Sequence, residues 1–293
     1  MSSELQVSVI VPVWNDSKRI LKCIEALQNQ TLDSHLYEIL VVDNGSLDDT
    51  YEVLEKVKGI TLLREVKPGS YAARNKAIHE SNGEILAFTD SDCMPDSRWL
   101  EEITSCLLSN EKIGIVAGEI EFFKAPEDNV EKEALAFESM FSMNQKKYAS
   151  EGLCITANWC SRKEIILAQS GFRTDLKSGG DHDMSKKIVE SGLTVEYCKT
   201  AKVLHPARNN SELLRKRRRV IGGTWDKSNS KFKAMKILVN SSKLFLKRIY
   251  KTLTAANYSL YQRGLIAKVL FMIFWVSISE VIHLIFGKES TRS

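Results

Sequence analysis

The chain has six cysteines, but no two of them form a C-x-x-C pair. Cys23, Cys93, Cys106, Cys154, Cys160 and Cys198 are scattered, which argues against a zinc site or a disulfide framework and for a reducing compartment. They read as small buried hydrophobes. Met1–Gln6 lacks the basic-then-apolar pattern of a secretory leader, so a cytoplasmic protein is expected. There are no internal repeats and no low-complexity stretch. Several strong membrane spans are missing too. The long apolar run is Val269–Phe286, interrupted by Ser277, Ser279, Glu280 and His283. It is borderline for crossing a bilayer, and Glu280 is costly there. An interfacial or oligomerising helix, a true span, and a helix packed on the body all remain open.

What is present is an ordinary globular composition with a marked charge asymmetry. Lys199–Thr252 holds 16 Lys/Arg against 2 Asp/Glu, while the rest of the chain holds 25 against 35. An acidic body followed by a basic segment points to an anionic partner for that segment, such as phosphate, nucleic acid or an anionic membrane surface. Residues 1–210 are expected to form one domain and residues 211–293 a basic helical tail.

The first hundred residues alternate between β-branched runs and helical spacing. Strands are expected at Val7–Val13, Tyr37–Asp43, Ile60–Arg64 and Glu84–Thr89. Helices are expected at Ser17–Asn29, Asp48–Val57 (capped by Asp48 or Ser46) and Ser70–Ser81. This is the pattern of parallel βαβ units covered on both faces. In such sheets ligands sit beyond the carboxyl ends of the strands. Pro12–Asn15, Asp43–Gly45 and Asp90–Asp92 all fall at those ends. Further on, the pattern predicts helices over Asp96–Leu108, Val130–Tyr148, Arg162–Gln169 and Gly179–Glu190. It predicts strands over Ile113–Phe123, Thr194–Tyr197 and Ala201–His205.

Five segments carry chemistry. Asp90-Ser91-Asp92 closes a buried strand, and a pair of carboxylates there can face a hard cation that in turn holds a diphosphate. Asp43 can accept from ribose or base, although Asp-Asn-Gly is equally good turn chemistry. Pro68–Asn75 is a small-residue helix start that favours negative charge, with Arg74 in reach of a phosphate or Asp43. In Gly179–Asp183, Asp181 reads equally as a general base or as an N-cap. His205 is a candidate metal ligand or a structural histidine.

Together these segments resemble a family-2 glycosyltransferase of the nucleotide-diphospho-sugar transferase superfamily. The likeness runs in order through Val7–Asn15, Val41–Thr50, Gly69–Asn75, Phe88–Asp92 and Gly180–Met184. It implies an α/β GT-A fold: a Rossmann-like mixed, mainly parallel sheet with helices on both faces, here followed by a helical tail. It implies inverting transfer of a sugar from a nucleotide-sugar, UDP-linked by expectation, to a hydroxyl of a glycan or lipid-linked acceptor. Pro12, Asn15, Asp43, Arg74 and Asp90 would serve the nucleotide. Asp92 and His205 would hold Mg²⁺ or Mn²⁺. Asp181 would be the base, with Asp183 as the alternative. Where many members carry Glu before the base, this chain has Gly180. No Q-x-x-R-W motif is present, which favours single addition over processive synthesis. A cytoplasmic membrane face, peripheral contact through the tail and a possible homodimer complete the expectations, with no nucleic-acid partner. A sugar-phosphate nucleotidyltransferase and an anion- or membrane-binding module are the competing readings.

Overall fold

The computed structural model describes residues 6–125, 129–176, 178–226 and 228–287. The chain divides into two compact units, Met1–Glu121 with Met143–His205, and Phe122–Ser142 with Pro206–Ser293.

In the first unit the elements run β1 (Val7–Val13), α1 (Arg19–Gln28), β2 (Tyr37–Asp43), α2 (Thr50–Leu54), β3 (Thr61–Arg64), α3 (Ser70–Glu80), β4 (Ile85–Thr89), β5 (Met94–Pro95), α4 (Trp99–Leu108) and β6 (Ile113–Phe123). Past α5 (Lys132–Phe141), which belongs to the second unit, come α6 (Gln145–Ser150), β7 (Asn158–Arg162), α7 (Lys163–Ala168), α8 (Gly180–Glu190) and β8 (Thr194–Pro206). The eight strands form one sheet in the order β3-β2-β1-β4-β7-β6-β8-β5. β1 is parallel to β2 and β4, and β2 to β3, whereas β7 is antiparallel to β4 and β6, and β5 to β8. The sheet is therefore mixed, with its parallel part built from the first βαβ repeats.

Hydrophobicity without alternation makes β1, β2 and β4 central strands buried on both faces. Ile10, Leu40, Val42, Leu86 and Phe88 share one core cluster with Ala73 and Ala77 of α3, Ile166 of α7 and Met184 and Ile188 of α8. Their neighbours Val9, Val11, Ile39, Val41 and Ala87 point to the other face by strand alternation and are equally buried. Each buried Val, Leu, Ile, Phe or Met among them contributes roughly 1.5–3 kcal/mol.

A polar hub crosses this core. The Asn158 side chain accepts from Trp99 Nε1 at 2.8 Å and donates to the carbonyls of Glu119 (2.8 Å) and Ala201 (2.9 Å). Asn158 is opposite Thr89 in the β4–β7 register, so the hub braces the strand end that leads into Asp90. Gly118 is required beside it, because a Cβ there would run into the Asn158 amide.

The elements depart from the sequence expectation in several places, the first being β7 and β5, two strands that the sequence pattern does not predict. The expected helix Val130–Tyr148 is two helices, broken where Met143 takes a left-handed φ of 45° and Asn144 caps the next turn by accepting from Lys147 N. The two strands expected between Thr194 and His205 are one continuous strand. The helix expected from Asp48 to Val57 is shorter, Thr50–Leu54: the N-cap position falls to Asp49, Asp48 Oδ1 accepts from Thr50 N (3.1 Å), and Ser46 Oγ accepts from Asn15 N. Asp181 is not an N-cap: Gly179, with φ 79°, holds that position, and Asp181 lies inside the first turn of α8.

The second unit consists of α5, α9 (Asn210–Asp226), α10 (Lys233–Thr254) and α11 (Leu260–Ile285), with α11 packed against the other three. α11 is long and apolar enough to cross a membrane by length and composition alone. One face, including Ile266, Val269, Leu270 and Val281, is buried in the unit, while Phe271, Trp275 and Ile285 are exposed. Inside, Arg217 of α9 donates to Ser277 Oγ of α11 (2.7 Å) and Ser241 Oγ of α10 (2.9 Å).

Candidate active site

The carboxyl ends of β1, β2 and β4 lie side by side. Val13 pairs with Asp43, and Ile10 with Phe88, so the loops after all three strands start on one sheet edge. After β1, Asn15 adopts a left-handed φ of 50° and makes two bonds to the loop after β2: its N–H donates to Ser46 Oγ (2.9 Å), and its Oδ1 accepts from Leu47 N (2.7 Å). Pro12 is buried within β1, opposite Val42.

Asp43 is fully buried and accepts from the N–H groups of Gly45 (3.2 Å) and Ser46 (3.3 Å). The Arg64 guanidinium stands 3.8 Å from its Oδ2. Gly45, with φ 73°, makes this tight return possible.

Arg74, one turn into α3, is buried and engages neither Asp43 nor solvent. Its Nη2 donates to Asp90 Oδ1 at 2.6 Å, while its Nε has no partner. Burial pushes the Asp90 carboxyl above its ordinary range and outweighs the Arg74 charge that pulls it down. Asp16 joins the same acidic group. It accepts from Ser91 Oγ (3.1 Å) and Arg19 Nε (2.7 Å), and burial raises its carboxyl too.

His205, buried near the end of β8, brings its Nε2 to 3.8 Å from Asp92 Oδ1. The pairing β5–β8 sets this meeting, since Met94 lies opposite Leu204. Among the described residues, ligand atoms of Asp92, Cys93 and His205 all fall within 4.8 Å of one another. Burial, with Asp92 and Asp90 nearby, pushes the Cys93 thiol well above its ordinary range. Its Sγ donates to Asp92 Oδ1 at 3.8 Å, and the carboxylate and the imidazole are the hard and borderline donors of the group. That pair suits a hard or borderline divalent cation completed by phosphate oxygens.

Asp181 and Tyr71 form the third part. The Tyr71 hydroxyl donates to Asp181 Oδ1 (3.4 Å) and accepts from Gly180 N (2.9 Å). Burial, followed by the Asp181 charge, raises the Tyr71 phenol, so it remains a donor. Gly180 is needed for this arrangement, because a Cβ there would come within 2.7 Å of the Tyr71 ring. Asp183, by contrast, is flanked by Lys187 Nζ (3.2 Å) and Arg173 Nη1 (3.7 Å).

Sequence reasoning singled out the eight residues Pro12, Asn15, Asp43, Arg74, Asp90, Asp92, Asp181 and His205, and all lie in the first unit. It missed Asp16, Tyr71 and Arg64. Asp16 directly follows Asn15 in the loop and could have been read as part of the same cluster. Tyr71 and Arg64 gave no local signal, because only the tertiary fold sets them against Asp181 and Asp43.

The glycosyl transferase family 2 profile matches residues 8–167. The chain is 36% identical over 220 residues to glycosyltransferase AglE of Haloferax volcanii, covering 73% of this chain and 71% of that protein. It is 34% identical over 103 residues to the poly(ribitol-phosphate) beta-N-acetylglucosaminyltransferase TarP of Staphylococcus aureus, covering 33% of this chain and 32% of that one. Two solved structures share the fold. The mannosyltransferase PcManGT from Pyrobaculum calidifontis, in complex with GDP-Man and Mn²⁺, has 20% identity and a TM-score of 0.61, covering 97% of this chain and 88% of that one. S. aureus TarS 1-349 in complex with UDP-GlcNAc has 16% identity and a TM-score of 0.54, covering 97% of this chain and 92% of that one. The profile spans more than half of the chain and AglE aligns over most of it, and on these grounds the chain belongs to glycosyl transferase family 2.

Proposed function

We propose that this glycosyltransferase moves a sugar from a nucleoside-diphosphate sugar to an acceptor hydroxyl in a single inverting displacement that depends on a divalent cation. The observation that carries the reading is the meeting of Asp92 and His205 at the carboxyl ends of the strands. Their oxygen and nitrogen donors fit Mn²⁺ or Mg²⁺ with diphosphate oxygens completing the shell. Such a cation would offset the charge that develops on the departing diphosphate.

The chain's own residues supply the rest. Asn15 and Asp43 fix the two loops that border the nucleoside, on the floor provided by Pro12. Arg74 orients Asp90 toward the ribose and the cation. Asp181 takes the proton of the acceptor hydroxyl as that oxygen bonds to the anomeric carbon. The bond from the anomeric carbon to the diphosphate oxygen breaks, and the nucleoside diphosphate leaves with the electron pair. Asp181 suits the role better than Asp183, whose carboxylate is held between two cations. Tyr71 keeps Asp181 aimed.

Exposed Leu246, Tyr250 and Leu253 of α10 and Phe271 and Trp275 of α11, with Lys243, Lys247 and Lys251 of α10, support peripheral contact of the second unit with an anionic membrane and hence a lipid-linked acceptor. The test is nucleoside diphosphate release from UDP- and GDP-sugars, with Mn²⁺ and a membrane lipid extract as acceptor source. Asp181→Asn is expected to keep donor binding and lose release, while Asp183→Asn keeps both. The reverse ranking would move the base to Asp183.

A further inference from the structure

Glu212, Arg215, Lys216 and Arg219 follow one another at helical spacing on α9 and share one face. With Arg208 they line a cavity of about 140 Å³. That is roughly ten times the space needed to seat one water molecule. Four cations and one carboxylate converge there, all within the second unit.

The acids near this cavity are already used. The fully buried Glu138 accepts from Arg208 Nη1 (3.2 Å), Arg208 N (3.1 Å) and Ser142 Oγ (2.5 Å). Glu212 accepts from Asn209 N at 2.9 Å. Among the described residues, no carboxylate lies within ion-pair distance of Arg215, Lys216 or Arg219. Burial, then the charge of Arg208, holds the Lys216 ammonium down to about 8; Glu138 opposes this, and Arg219 and Arg248 add to it. Gathering like charges around a partly buried lysine works against stability, and such arrangements cluster where a ligand supplies the missing charge. Two or three guanidinium forks beside an ammonium match the several oxygens of a phosphate better than the two of a carboxylate.

We infer that the α9 cavity is a phosphate-binding subsite that takes a phosphomonoester or diphosphate group. Its use in recognising a phosphate-bearing acceptor rests on the transferase reading above. A lipid-borne phosphate and a free nucleotide offer the same group, and the test separates them.

The test is calorimetric titration of the full chain with inorganic pyrophosphate in EDTA, which removes any cation held at Asp92 and His205. The wild type is expected to bind. Lys216→Met and the exposed-site variant Arg219→Gln are each expected to weaken binding roughly tenfold, the loss of one charge-assisted hydrogen bond. Asp92→Asn is expected to leave it unchanged. Thermal unfolding checks that each variant is folded. No binding by the wild type, or unaltered affinity in both α9 variants, overturns the inference. Flotation with phosphatidylcholine vesicles carrying either phosphatidic acid or phosphatidylglycerol then identifies the source. A preference for phosphatidic acid that disappears in Lys216→Met assigns the subsite to a lipid-borne phosphate, and equal partitioning assigns it to a free one. Mn²⁺-linked nucleotide binding reports on the transferase reading by itself. Its failure with pyrophosphate binding intact would sink that reading and leave the subsite standing.

Discussion

His205 Nε2 stands 3.8 Å from Asp92 Oδ1, with one residue near the end of β8 and the other in the turn between β4 and β5. Neither strand makes a site alone; the β5–β8 pairing does. Replacing His205 by Gln keeps a polar side chain of similar reach but removes the imidazole. Mn²⁺ affinity, read by titration calorimetry in the presence of UDP or GDP, is expected to fall about tenfold, the loss of one ligand interaction of roughly 1.4 kcal/mol. An unchanged affinity would return His205 to a structural role.

Tyr71 touches both Gly180 N and the Asp181 carboxylate. Tyr71→Phe is expected to lower kcat roughly tenfold while leaving the donor KM nearly unchanged, because the lost bond aims the base rather than holding the donor. Gly180→Ala is expected to do at least as much damage, since its methyl group would push the Tyr71 ring aside. A rise in donor KM with kcat intact would instead place this pair in the donor site.

The Asn158 amide satisfies three partners at once, two of them in buried bonds. Asn158→Ala removes the acceptor of the buried Trp99 N–H and a donor to two strand carbonyls. Chemical denaturation is expected to show a loss of about 2–4 kcal/mol, more than one hydrogen bond contributes on its own. A loss below about 1 kcal/mol would mean that water replaces the amide.

Lys216 gives a pH-dependent signature. Its folded-state pKa is depressed to about 8, so its charged form is disfavoured in the fold. The resulting penalty is fully present below about 8 and fades as pH rises toward the ordinary lysine value of about 10.5. Lys216→Met is therefore expected to stabilise the chain at pH 7, by on the order of 1 kcal/mol once partial exposure is discounted. Melting curves at pH 7 and pH 10 are expected to show that gain shrinking as the solution becomes alkaline. A gain that is constant with pH would point to better packing rather than relieved charge.

Much of the site could be read from the sequence, because strand ends in a βαβ pattern converge by topology. Asp43, Asp90 and Asp92 were legible from the buried runs that precede them. The partners of these acids were not. Arg74 carries no mark that it would turn to Asp90 rather than Asp43; the choice depends on how α3 lies across β1 and β2. The break at Met143 contains neither glycine nor proline, so helical spacing ran straight through it. β8 looked like two strands because Cys198–Lys199–Thr200 interrupts its apolar pattern, but sheet pairing continues regardless of side-chain polarity. Asn158 carries no mark of its role in the sequence, and only its bonds to Trp99, Glu119 and Ala201 reveal it as a brace.

The central claim is that Asp92 makes donor binding depend on a divalent cation. Titration of UDP and GDP into the full chain, with Mn²⁺ and then with EDTA, tests it most directly when wild type and Asp92→Asn are compared. The account predicts that at least one of the two nucleotides binds the wild type at least tenfold more tightly with Mn²⁺ than with EDTA. It predicts that Asp92→Asn removes that difference while unfolding at a similar temperature. Nucleotide binding that is indifferent to Mn²⁺ in the wild type, or a Mn²⁺ effect that survives in Asp92→Asn, would contradict it.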